Sequence, residues 1–460
     1  MKTGLIRAKN ALFSLFIAAA AVFLLSAGTS EVVKGLRSES ACPPDPVTAG
    51  EQTVEVYGKK FLPDAAEIAF DGDEIDGFDG ILGKLDDFDS LQTVDFGSFS
   101  VSVDQVDGIR EMFGDVNVRI GVYVTVQGQK FDQASPTLDL TGAGPEIIPE
   151  MTEKLNLFTD LESVDLRGVE ITPEQQKGLV DSYPGIRFLW DVDIMGEKYD
   201  SATEDLDLTN HRELTLDTVR EFIPLFCDLK RLDLSDCGFA NEDLAGLREE
   251  FPDTKIVWTL YMGKWSLKTD AVAFSVLIYN YNYTALRSPD IEVLKYCTDL
   301  QALDLGHQRL TDLSVIGDYL PELRILILAD NTVSDLTPLS KLKHLHYLEL
   351  FVNPYLTDVS PIGECKEMVD LNISHIYGLT DISALLDFPM LERLWIENTG
   401  VSAADIQLLK DTYPNANVTN IGWGSVDQGW RWHPRYNAMI DMYHKTDYIS
   451  EEFSKYDSAD

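Results

Sequence analysis

"LHYLELFVNPYLTDVSPIGECKEMVDLNIS", residues Leu345 to Ser374, states one pattern twice: Leu345, Leu348 and Leu350, then Met368, Leu371 and Ile373. The residues three and five positions after the first fall on one side of a short strand, so all three apolar groups can point inward. Working outward, the pattern recurs as "LQALDL" at Leu300, "LRILIL" at Leu323 and "LERLWI" at Leu391. The five starting points are 23, 22, 23 and 23 residues apart. One such coil cannot close a core alone. Stacked coils can, with parallel strands about 4.8 Å apart and each apolar layer covered by the next. A period of this length with this internal spacing is the signature of leucine-rich repeats.

The other residues of the repeat fit that reading. Asn331 and Asn353 stand eight positions after their first leucine, and Cys237 holds the same place after Leu229. A side-chain amide or thiol there can satisfy backbone groups left unpaired where the chain turns out of the strand. Pro338 and Pro361 then fix the bend toward the outer side. From Leu300 to Leu409 the chain resembles the internalin class of bacterial leucine-rich repeats, without a recognisable wall-sorting signal at its C-terminal end. The resemblance implies an extracellular binding protein.

Upstream, a longer period appears. "LQTVDF" at Leu91, "LESVDL" at Leu161 and "LKRLDL" at Leu229 lead to Leu300 in steps of 70, 68 and 71. Gly58, Gly128, Gly196 and Gly263 keep nearly the same interval. Strict alternation at Val116, Val118, Ile120, Val122 and Val124, and again at Ile186, Phe188, Trp190, Val192 and Ile194, predicts a long half-buried strand turned back at a glycine. "EIIPEMTEKLNLF" and "TLDTVREFIPLF" read as outer-side helices. This part is similar to irregular, long-repeat leucine-rich proteins of bacterial surfaces. The predicted fold is thus an α/β solenoid: a curved leucine-rich repeat array with a parallel sheet on the concave face, β-hairpin elaborations and outer-side helices. Irregular repeats span 51–290, regular ones 291–413, and an aromatic cap and tail follow over 414–460.

Composition sets the outer limits. Seventy-seven Asp and Glu against 37 Lys and Arg give a formal charge of −40, which repels nucleic acid and anionic lipid and favours basic partners or plain solubility. Lys2, Arg7 and Lys9 precede the apolar run "ALFSLFIAAAAVFLLSAG", the layout of a secretory signal or a signal anchor over 1–28. As a helix the run covers about 27 Å, close to a bilayer's hydrocarbon thickness, and the small residues of "SAG" favour cleavage. A proline-rich linker, 29–50, follows. Export to the cell surface or medium is expected, with membrane contact only through the leader if it is retained. Cys42, Cys227, Cys237, Cys297 and Cys365 show no CxxC spacing and are odd in number, so small buried thiols are expected.

No HExxH, GxSxG or phosphate loop is present, and no cofactor or metal is implied. "DGDEIDGFDG" at 71–80 places Ile75 where a calcium loop needs an oxygen, and reads as an acidic loop. His344 and His346 flank a leucine without an evident carboxylate partner.

The informative positions alternate with the leucines, because they face the inner surface. Between the last two apolar residues of successive coils stand Asp95, Asp139, Asp165, Asp207, Asp233, Asp304 and Glu349, an acidic ladder. Neighbouring members about 5 Å apart repel by on the order of 1 kcal/mol in water, which a cation or basic partner relieves. Aspartate is also a common consensus residue in "LDL". Downstream the face turns apolar, with Ile325, Ile327, Tyr347, Phe351 and Trp395 turned away from the leucines and onto this concave surface. Such a patch marks an interaction surface or is covered by the chain's own C-terminal tail. Trp430, Trp432, Tyr436, Met439 and Tyr443 read as a terminal cap for the stack, with a sugar-binding platform as the rival. The reading is a non-enzymatic recognition protein for a protein ligand with a basic or apolar surface; the alternatives are cell-wall glycan binding and a surface-layer role.

Overall fold

The computed structural model describes residues 52–72, 75–276, 285–422, 424 and 426–445. The leader, the linker with Cys42, Asp73 and Glu74 of the acidic loop, and the tail after Lys445 lie outside the described residues. The chain divides into two compact units. One comprises the described residues up to Ser135 with Lys154–Asp160, and the other Pro136–Glu153 with those from Leu161 on.

In the first unit Val54–Val56 and Lys59–Phe61 form a hairpin, and Glu67–Ala69, Thr93–Ser102 and Asn117–Val126 pair in parallel, with Gln129–Asp132 antiparallel at the edge. Alternation puts Ile68, Val94 and Phe96 into a core shared with Phe70 and Phe113. Ile75 joins that core, so the position that fails as an oxygen ligand is a packing residue. The strand Thr93–Ser102 shifts register between Asp95 and Ser100. Gly97 makes the shift possible with φ +56°, where a Cβ would lie 2.5 Å from the Phe70 carbonyl.

The second unit holds two three-stranded parallel sheets, Thr137–Asp139 with Ser163–Asp165 and Arg187–Leu189, then Asp205–Asp207 with Arg231–Asp233 and Lys255–Val257. A seven-stranded parallel sheet follows: Ala273–Ser275, Ala302–Asp304, Ile325–Ile327, Tyr347–Glu349, Asp370–Asn372, Arg393–Trp395 and Asn417–Thr419. In its register Phe274, Leu303, Leu326, Leu348, Leu371, Leu394 and Val418 stand side by side, the continuous spine that the period demands. The five leucines are fully buried. At such positions leucine-to-alanine changes remove about 2–5 kcal/mol.

Each coil leaves its strand through a left-handed residue seven positions after the first apolar one: His307, Asp330, Val352, His375 and Asn398, all with φ between +49° and +60°. A β-branched valine is strained there. What the conformation preserves is the ladder, because the N–H groups of His307, Asp330, Val352 and His375 reach the Ala329, Phe351, Ser374 and Glu397 carbonyls of the next coil. One residue on, Asn331 donates to the Leu305 and Leu328 carbonyls and accepts from the Leu310 N–H. Asn353 does the same with Leu328, Leu350 and Val333. The Cys237 thiol stands in for the amide by donating to the Leu208 carbonyl, with a longer contact to that of Ser235. On the outer side Asp312, Asp335, Asp358 and Asp381 each accept the N–H of the Ser or Thr two positions on and start the short helical turn.

The two outer-side helices form, as Ile147–Lys154 and Leu216–Phe222, each prolonged by a 3₁₀ turn. Of the two long strands, Asn117–Val126 is continuous, but the other divides into Arg187–Leu189 and Asp191–Ile194. The break is at Trp190, whose backbone turns from the parallel sheet to the buried Ser201, donating to its hydroxyl at 3.0 Å and accepting from its N–H at 2.9 Å. Trp258 and Thr269 repeat the exchange one unit later. The hairpin glycines also differ. Gly58, Gly128 and Gly196 follow a second positive-φ residue, whereas Gly263 is the first residue of its turn. His344 and His346 do have a carboxylate partner, Glu367 of the next coil, at 3.3 and 3.6 Å. Cys237, Cys297 and Cys365 are buried free thiols and Cys227 is half-buried; burial pushes the Cys297 thiol up to about 12.

Candidate functional site on the inner face of the sheets

The aspartates alternating with the leucines share one local task. Asp95, Asp139, Asp165, Asp207, Asp233 and Asp304 each accept the backbone N–H two residues on, at 2.9–3.1 Å. That N–H lies just past the strand, and a short carboxylate reaches it without distortion. The repeat therefore uses aspartate here for its own backbone. Asp139 and Asp165 are partners across the ladder, as are Asp207 and Asp233.

Their surroundings differ. Asp139 and Asp207 are exposed, while Asp165 is half-buried and bound by the Arg167 guanidinium, which holds its carboxyl below the usual range. Asp233 is fully buried, a correction to its expected place on an open face: Arg231, two residues before it, and Lys268, from the following hairpin, cover it. Burial pushes its carboxyl up, and Lys268 with Ser235 brings it below the usual range.

On the seven-stranded sheet the open interaction surface is not what forms; the alternative, coverage by the chain's own C-terminal part, is. Asp304, Ile325, Ile327, Tyr347, Glu349, Phe351 and Trp395 are all buried. They are covered by the chain's own C-terminal segment, the short turn Trp430–Trp432 and the helix Pro434–Lys445. Trp430, Met439, Met442 and Tyr443 pack with Ala273, Ile325, Tyr347 and Trp395 in one cluster. The five terminal residues expected to cap the end of the stack thus do something else. Trp430, Met439 and Tyr443 lie across the inner face, Tyr436 packs against their cluster, and Trp432 is 85% exposed. A buried Trp430 and Tyr443 offer no platform to a sugar.

The segment is held by charge as well as by rings. Asp370 receives Arg393 at 2.6 and 2.7 Å and Arg435 at 3.0 Å through two nitrogens, and Arg435 also reaches Glu392 at 2.6 Å. Burial pushes the Asp370 carboxyl up, but the two guanidinium groups outweigh it and hold the group below the usual range. The Trp430 indole donates to Glu349 Oε1 at 2.7 Å and lies 5.5 and 5.0 Å from the Tyr347 and Trp395 rings. Tyr347 also donates to Glu349 Oε1, and Trp395 donates to the Asp427 carbonyl at 2.8 Å. The other half of the seam is looser. Glu349 Oε2, Arg431 Nε and the Tyr443 hydroxyl are buried without a hydrogen bond, and the Arg431 guanidinium stands 3.8 Å from Glu349 Oε2. Burial raises the Asp304 carboxyl to about 6, against the hydrogen bonds of Gly306 and Ser275.

Asp370, Glu392, Arg393 and Arg435 are absent from the sequence reading because it took charged residues from one inward column and only apolar and aromatic ones from the other. The column two positions earlier, Ala302, Ile325, Tyr347, Asp370 and Arg393, also faces the segment, and a carboxylate beside a guanidinium in it was the available signal. Among the described residues no group of three or more His, Cys, Asp or Glu is placed to hold a metal ion.

The repeat spacing and the strand register define a leucine-rich repeat protein. No family model matches the chain, and no curated protein matches it. Among solved structures it is similar to an internalin of Listeria monocytogenes (inlF), with 15% identity over 79% of this chain and 84% of that one at a TM-score of 0.29. An internalin C2 of the same species has 19% identity over 34% of this chain and 76% of that one, at 0.25. A leucine-rich repeat protein of Leptospira interrogans has 16% identity over 78% of this chain and 96% of that one, at 0.31. At this level the likenesses carry no argument of their own; the fold rests on the register described above.

Proposed function

We propose that the protein is an exported, non-enzymatic recognition solenoid that binds a protein partner with a basic surface through the inner face of its repeats. One observation supports this most directly: Asp139 and Asp207 stand open to solvent, each beside a second aspartate on the neighbouring strand. Their neighbours Asp165 and Asp233 already meet Arg167, Arg231 and Lys268, whereas Asp139 and Asp207 keep an exposed negative charge toward which a lysine- or arginine-bearing surface is steered. The leader supports export, and N-terminal sequencing of the mature chain tests it. Asp139→Asn with Asp207→Asn keeps an acceptor for each backbone N–H and removes the charge. Cross-linked capture of a basic partner by the full chain should fall several-fold in the double variant, with the melting transition unchanged; equal capture removes this surface.

A further inference from the structure

The seven-stranded sheet and the segment lying on it are held by different forces. Successive coils share a continuous backbone ladder and the leucine spine. The segment, among the described residues, exchanges no backbone-to-backbone hydrogen bond with the sheet; each of its bonds to the sheet has a side chain at one end or both, the Arg393 and Trp395 side chains donating to the Trp430 and Asp427 carbonyls. It can therefore leave without unpairing a coil.

The surface under it has a definite character. Asp304, Glu349 and Asp370 share the face with Arg393 of the sheet itself, and the segment brings Arg431 and Arg435 to them. Tyr347 and Trp395 form an aromatic floor that receives an indole, whose N–H finds Glu349. The fit is incomplete, because Glu349 Oε2 and the Tyr443 hydroxyl are enclosed with no hydrogen bond. A buried acceptor left without a hydrogen bond weakens the fit, so an occupant that met Glu349 with both oxygens engaged would hold more tightly than the resident one.

We propose that this inner face is a receptor site for a cationic, aromatic amphipathic helix of a protein partner, and that the C-terminal helix Pro434–Lys445 with Trp430 is its resident occupant, displaced on binding. The proposal rests on the recognition reading but uses a different sheet from Asp139 and Asp207, so either surface can fail alone. While the segment is docked, apparent affinity is reduced by the fraction of molecules that are open.

A fluorescent peptide of residues 428–445 serves as the probe, added to the full chain. The wild type should bind it weakly, and Arg435→Ala, which loosens the resident segment, at least tenfold more tightly. Adding Asp370→Asn to that variant should remove at least tenfold, and a peptide lacking Trp430 and Arg435 should not bind. Equal affinity for wild type and Arg435→Ala, or for the two peptides, overturns the proposal. Should Arg435→Ala fail to fold, amide exchange on the wild type decides: residues 434–445 exchanging at least a hundredfold faster than Ile325–Ile327 and Tyr347–Glu349 supports a separable occupant, and a common rate overturns it. A concentration-dependent dimer that protects 434–445 would overturn it too, by giving the face to a second copy.

Discussion

Asp207 and Asp304 occupy the same place in the repeat and make the same bond to the N–H two residues on, at 2.9 Å in each case. Around Asp207 the inner face is open, and Thr209 holds its carboxyl below the usual range. Around Asp304 the face is sealed, and the carboxyl is raised to about 6. The contrast is set by what lies above the strand rather than by the strand itself. A consensus residue chosen for a local backbone bond takes on electrostatic consequences only when another part of the chain, or a partner, excludes water from it.

The strongest way to break this comparison is to remove a carboxylate from each region. Asp370→Ala leaves Arg393 and Arg435 buried without their shared partner and should destabilise the regular repeats by about 3–5 kcal/mol, as an uncompensated buried charge does. Asp139→Ala loses the exposed bonds from the Thr141 N–H and hydroxyl, both of which water can replace, and should cost about 1 kcal/mol or less. Denaturant midpoints at constant m-value measure both. Similar losses would mean that the C-terminal segment does not seal the sheet as described.

Much of this is legible in the sequence. The spine leucines, the Asn331 and Asn353 bonds and the outer helices follow from spacing, because a period of 22–23 residues admits few ways to bury its apolar positions. The fate of the inner face is not. Whether Tyr347 and Trp395 meet solvent, a partner or residues 430–443 depends on a contact between positions as far apart as Glu349 and Trp430, for which a repeat period carries no information. The break at Trp190 was hidden for a similar reason: unbroken alternation from Ile186 to Ile194 does not reveal that two different partners take the strand's two halves.

Titration sharpens the contrast by sign. Asp304 keeps its proton in the folded chain up to about pH 6, whereas in the unfolded chain it loses it near 4. Between those values the folded state binds the extra proton, so this group's contribution falls as pH rises, by on the order of 3 kcal/mol across the window. Asp165 and Asp207, held below the usual range, act in the opposite direction and lose their contribution as pH falls. The titratable groups facing Asp304 are Glu349, Arg431, Tyr436 and Tyr443. Stability of wild type and Asp304→Asn at pH 4.5 and 7.5 isolates the effect: the variant should lose less stability on going to the higher pH, and parallel profiles would contradict the sealed environment.

The smallest test concerns the turn out of the strand, where the two kinds of repeat use different atoms for one purpose. Asn353 satisfies the Leu328 and Leu350 carbonyls and the Val333 N–H, three buried groups at once. Cys237 satisfies the Leu208 carbonyl, with a weaker contact to that of Ser235 at 3.7 Å. Leaving buried backbone groups unmade is costlier than losing a thiol's weak bond, so Asn353→Ala should remove about 2 kcal/mol and Cys237→Ala about half as much. Thermal or denaturant unfolding of the two variants gives the ratio. A ratio near one would show that water enters the turn at Asn353 and replaces the amide, and the regular repeats would then be less tightly closed along that edge than their buried asparagines indicate.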